Sequence, residues 1–183
     1  MKSLKNIAIL MISVFALGAC AQDTSSQDNQ ESAKINMDVE KINYNVDICA
    51  FTNDTIKTVR YGGRIELNDG TIYNFKSAEG TAAFYLEMDD SSKIKFIKVT
   101  DFAHGAQLLP VSDLKFLRSP LRPSPDGLFL TAVDSNNEKM LTYIYEAYPG
   151  KYLTWDEVLE VVKSEMDLVA HKANPTIKKN RAE

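Results

Sequence analysis

The chain has 183 residues, a formal net charge of −4 and a hydrophobic share of 44%. Its length suits one domain or two small ones. An acidic balance offers no platform for nucleic acid, which calls for a basic face. Two cysteines and two histidines leave few residues for soft-metal or nucleophilic chemistry.

Lys2 and Lys5 precede an apolar run from Ile7 to Leu17. That run is shorter than the about 20 residues that span a bilayer, and it fits a signal-peptide core over residues 1–19. Leu17-Gly18-Ala19-Cys20 has the form of a bacterial lipobox, so Cys20 is the expected lipid-bearing mature N-terminus. Membrane lipid is then a partner through Cys20. The expected location is the cell envelope, anchored to a bacterial membrane with the domain outside the cytoplasm. Loss of Lys2 and Lys5 takes the net charge from −4 to −6. Cys49 is left without a cysteine partner, which excludes a disulfide framework. From Ala21 to Lys34 the chain is rich in Gln, Asp, Ser and Asn and lacks aromatic residues. Residues 20–45 are therefore expected to act as a flexible linker.

The expected first half covers residues 46–100. Lys57 to Leu67 carries β-formers, Asn68-Asp69-Gly70 is a hairpin turn and Thr71 to Phe75 is the return strand. Ser77 caps a helix that holds Ala78, Ala82, Ala83 and Leu86, and Ser91-Ser92 ends it. Lys93 to Thr100 is a third strand. The second half, 101–172, repeats that order. Leu114 to Leu117 and Leu128 to Val133 are strands flanking a loop with Pro120, Pro123 and Pro125. Ser135 and Glu138 have capping-box spacing before a helix with Met140, Leu141, Ile144, Tyr145 and Tyr148 on one face. Lys151 to Leu153 is a short strand. Thr154 and Glu157 open a last helix with a stripe of Trp155, Val158, Leu159, Val162, Met166, Val169 and Ala170. Residues 173–183 form a polar tail. The fold class is α+β, with two similar strand-strand-helix-strand halves and a C-terminal helix.

Certain residues in this order carry a resemblance. Val46 to Ile56 is an entry loop holding Cys49. Phe75 precedes a helix cap, Val99-Thr100-Asp101 closes a strand, and Pro125-Asp126-Gly127 precedes another. The chain resembles the NosL family, lipoprotein accessory factors of nitrous oxide reductase, over roughly residues 46–159. That resemblance implies the two-part fold, copper(I) as the bound metal and a copper enzyme or envelope assembly complex as partner. In the family's C-x-x-C-x-M entry motif, Cys49 matches the first cysteine, Thr52 the second and Asp54 the methionine. Asp126 stands at the methionine of a Pro-Met-Gly loop. Gly80 and Thr81 fall where many relatives carry Cys-Met.

Copper(I) selects thiolate and thioether ligands, so these replacements deplete the site. The candidate metal residues are Cys49, Asp54, Asp126 and His104. Cys49 has a competing reading as a small core residue, and Met88, Met140 and Met166 read as core packing. Asp54, Asp126 and Thr52 would suit calcium if the two loops met. Arg118 and Arg122 flank the proline-rich loop and could hold an anion or a partner's carboxylate; the preferred reading is a pair of solvated arginines. No catalytic fingerprint is present, and only His104 and His171 could act as a base for Cys49. The expected function is a non-enzymatic accessory or metallochaperone role in copper handling. The alternative is an interaction lipoprotein on a NosL-like scaffold that binds no metal.

Overall fold

The computed structural model describes residues 41–166 and 168. The signal peptide, Cys20, most of the linker, His171 and the tail lie outside the described residues. The folded part begins earlier than Val46. Ile42 is buried in the core, and the Lys41 carbonyl accepts from Arg64. Residues 41–45 therefore belong to the domain and not to the linker.

Seven strands form two antiparallel sheets. β1 (Gly63–Leu67), β2 (Ile72–Phe75), β3 (Ile94–Thr100) and β4 (Leu108–Pro110) make the first, in the order β2-β1-β3-β4. β5 (Leu114–Arg118), β6 (Leu130–Asp134) and β7 (Lys151–Leu153) make the second, in the order β6-β5-β7. Each sheet is a hairpin whose first strand also pairs with the strand after the following helix. The expected repeat of halves is thus present as a repeat of topology. α1 (Ala78–Glu87) follows β2, and α2 (Glu138–Ala147) follows β6.

Local chemistry explains the boundaries. The Asn68-Asp69-Gly70 turn holds Gly70 at φ 80°, which favours glycine. Ser77 caps α1 by accepting from the Gly80 amide at 2.9 Å. α3 (Trp155–Glu165) opens with both halves of the Thr154–Glu157 capping box.

Four expectations shift. The first strand is confined to Gly63–Leu67, because residues 59–61 form a turn. Ser135 does not cap α2; the Asn137 side chain does, accepting from the Met140 amide at 3.1 Å. Asp134 Oδ1 takes the Asn136 amide at 2.9 Å, so the chain turns before the helix starts. α3 ends at Glu165 with Met166 of the expected stripe as its C-cap, while Val169 and Ala170 lie outside the described residues. β4 was not anticipated. Its three residues pair with Lys98 to Thr100, so the first sheet continues past the boundary expected at Thr100.

One hydrophobic cluster spans both halves and includes Phe75, Ala82, Phe116, Leu130 and Val158. α1 lies in the middle of it, against β1, β2, β6 and α3. A stretch of small residues permits this: Ala82 and Ala83 are fully buried. Glycine at position 63 lets β1 approach α1, since a Cβ there would overlap Thr81 Oγ1. Gly63→Ala should therefore destabilise the domain by about 2 kcal/mol, the usual scale for overpacking. Urea denaturation checks this, and a change within about 0.5 kcal/mol would mean that β1 and α1 are free to separate.

Candidate functional site

The entry loop is a closed hairpin. Ile48 bridges Thr55, the Cys49 amide donates to the Asp54 carbonyl at 2.8 Å, and the Asn53 amide donates to the Cys49 carbonyl at 2.9 Å. Asn53 adopts φ 62°, a left-handed value that Asn tolerates. A buried polar chain fixes the loop to the first sheet. Asn74 Nδ2 donates to Asp47 Oδ2 at 2.6 Å, and Arg64 Nε donates to Asn74 Oδ1 at 2.9 Å. The Ala50 amide donates to the Asn74 carbonyl at 2.8 Å.

This geometry turns Cys49 inward and Asp54 outward. Cys49 is 1% exposed and belongs to the hydrophobic core, whereas the Asp54 side chain is 61% exposed. The β5–β6 loop brings Asp126 to the same place, with its side chain 7% exposed. The two loops do meet, but a lysine stands between their carboxylates. Lys76 Nζ lies 2.6 Å from Asp54 Oδ2 and 3.1 Å from Asp126 Oδ1. Asp126 Oδ2 also accepts from Ser77 Oγ, and a Cβ on Gly80 would sit 3.0 Å from that same oxygen. Positions 54, 80 and 126, matched to ligand positions in the sequence, thus converge at the N-terminus of α1. A cleft of about 560 Å³ opens beside them, lined by Asn53, Asp54, Thr55, Lys57, Thr58, Lys76 and Pro125.

The charges hold each other. The hydrogen bond from Lys76 keeps the Asp54 carboxyl below its usual range. Burial alone would lower the Lys76 ammonium. The hydrogen bond with Asp54 and the charge of Asp126 outweigh burial and raise it. Glu79, which sequence reasoning missed, is fully buried in the first turn of α1. Its Oε1 accepts from Ser124 Oγ and from the Leu130 amide at 3.2 Å. Its Oε2 is buried without a partner. Burial pushes this carboxyl above its usual range, against the lowering effect of the Ser124 hydrogen bond. A glutamate at the second residue after a serine cap signals only a helix start, so nothing local announced its tertiary role.

His104 belongs elsewhere. Its Nδ1 lies 2.6 Å from Asp101 Oδ2, and among the described residues it gathers with none of Cys49, Asp54 and Asp126 as a metal shell. Arg118 is also removed from the expected anion pair, because Glu165 holds both of its terminal nitrogens at 2.9 and 2.5 Å. Among the described residues, no group of three or more His, Cys, Asp or Glu side chains gathers as a metal shell.

The donor set does not fit copper(I). The one soft atom is sealed in the core, and the converging oxygens are hard ligands already neutralised by an ammonium. A hard cation meets the same obstacle, since it would have to displace Lys76.

No family model and no curated protein matches the chain. Among solved structures, the copper chaperone NosL from Shewanella denitrificans matches with a TM-score of 0.51 and 17% identity. The match covers 61% of this chain and 89% of that one. At this identity the likeness shows a NosL-like α+β fold.

The raised Glu79 carboxyl makes stability depend on pH in a stated direction. A group with a folded value above its unfolded one stabilises most at low pH. That contribution fades as pH rises through the raised value. Stability in urea should fall as pH climbs above about 5, the upper side of the ordinary glutamate range. Glu79→Gln, which mimics the protonated acid, should flatten that limb. An unchanged pH slope in the variant would show that Glu79 is not its source.

Proposed function

We propose that this protein is an exported, non-enzymatic accessory lipoprotein, anchored through Cys20 to a membrane of the cell envelope. It supports copper handling, in the manner of factors for nitrous oxide reductase maturation. It acts through contact with a partner protein and does not carry copper(I) on its own. One observation carries the reading: a fold like that of a copper chaperone, in which Asp54 and Asp126, matched by resemblance to soft-ligand positions, share the Lys76 ammonium. Copper(I) needs sulfur at those positions, and an ammonium between two carboxylates repels it. The ion pair instead lines the cleft and presents a polar surface. The role in copper handling is supported by the resemblance of the entry loop and by the fold of the neighbouring chaperone.

The test is an anaerobic competition for copper(I) between the full-length chain and a strong chelator, run beside Cys49→Ser. The expected result is no stoichiometric retention by either protein. Tight one-to-one binding that disappears in Cys49→Ser would overturn the contact-only reading and establish copper carriage through an opened entry loop.

A further inference from the structure

Two dipeptides distant in sequence lie side by side on this molecule. Each is an exposed aliphatic residue followed by an arginine. Val59 precedes Arg60, and Leu121 precedes Arg122; the aliphatic residues are 44% and 62% exposed. The Tyr61 hydroxyl donates to the Pro123 carbonyl at 3.1 Å, tying the residue after one pair to the residue after the other. Phe102 joins them from beneath. The Arg60 guanidinium carbon lies 4.9 Å from the Phe102 ring centroid, and that of Arg122 lies 4.1 Å from it. Arg122 also lies 6.0 Å from the Tyr61 ring and 4.9 Å from the Tyr148 ring, and its Nη1 donates to the Tyr148 hydroxyl at 3.1 Å.

Neither arginine has a carboxylate partner among the described residues. The other cationic groups near acids are taken: Arg118 by Glu165, Lys76 by Asp54 and Asp126, Lys95 by Glu66 and Lys151 by Glu157. Arg122 Nε is buried and meets no acceptor. Buried polar hydrogens normally find one, so an unmet guanidinium donor calls for an explanation. In a chain of net charge −4, two uncompensated guanidiniums on one ring are a local exception. Aromatic rings immobilise both heads in advance, which lowers the ordering cost of pairing them with a carboxylate. Arginine and tyrosine beside exposed aliphatic side chains are the composition of energetic centres in protein interfaces.

We infer that the Val59-Arg60 and Leu121-Arg122 surface, assembled on Phe102, is a docking site for an acidic segment of a partner protein. A carboxylate would engage the guanidiniums, and a neighbouring apolar side chain would cover Leu121 and Val59. This inference rests on the protein-contact reading above and names the surface that such contact would use. It can fail while that reading stands, because the copper competition does not involve these residues.

The test is selection of a random heptapeptide display library on the full-length chain. Enriched peptides are then synthesised and their affinities measured. Enrichment of Asp or Glu next to an apolar residue is expected. Binding should weaken at least tenfold in Arg60→Ala/Arg122→Ala and less than twofold in Arg118→Ala. Replacing the peptide acid by its amide should cost a similar tenfold. Should Arg122→Ala fail to fold, Arg60→Ala alone should weaken binding at least threefold, since its guanidinium lies over the Phe102 ring and the residue is exposed. Three results would overturn the inference. These are enrichment without acidic residues, equal affinity for wild type and the arginine variants, and binding to phosphatidylglycerol vesicles with no acidic peptide enriched.

Discussion

The N-terminal turn of α1 is where the two halves are joined, and two carboxylates make the joint. Asp126 reaches from the β5–β6 loop to Ser77 and Lys76, while Glu79 reaches from α1 to Ser124 and the Leu130 amide. One group crosses in each direction. Placing such groups in a nearly dry site costs several kcal/mol, and only partners held in good geometry offset it. The rest of the site follows from this. With the β5–β6 loop fixed to α1, Asp126 meets Lys76, Lys76 meets Asp54, and the entry loop is drawn over the same helix end. The core beneath is shared, since α1 packs against elements of both sheets.

That arrangement gives the positions matched by resemblance to ligands a physical meaning. At three of the matched positions the residues form an ion-paired cluster: carboxylates at 54 and 126, the Lys76 ammonium between them, and glycine at 80 where a larger side chain would press on Asp126. Cys49, the one cysteine among the described residues, is part of the core, 1% exposed beside Ala50 and Phe51. A scaffold shared with a copper chaperone is thereby held together by charge at the place matched to soft ligands. Its outward resources are surfaces. The cleft beside Lys76 is polar, and the arginine–aromatic surface around Phe102 is cationic.

Much of the architecture was legible because it is written in local patterns. The Asn68-Asp69-Gly70 turn, the Ser77 cap and the Thr154–Glu157 box each depend on neighbours within a few residues. The halves repeat because alternation, cap and helix period recur in the same order. What could not be read depends on partners far apart in the chain. β4 is three residues long and gains its identity only from pairing with β3. Ile42 looked like the end of a linker because its burial is supplied by the sheet. Lys76 and Glu79 look like ordinary residues at a helix start, and their partners come 22 to 51 positions away. Arg122 was read together with Arg118, but its neighbour on the Phe102 ring is Arg60. A hydrogen bond between Tyr61 and Pro123 sets that pairing, and no spacing encodes it.

The central claim is that the Lys76–Asp126 pair carries energy at the joint between the halves. A double-mutant cycle in urea with Lys76→Met, Asp126→Asn and the double variant measures it directly. The account predicts a coupling of about 1–3 kcal/mol, the range for contacting residues in one polar network. Effects that add to within about 0.5 kcal/mol, the behaviour of independent sites, would contradict it.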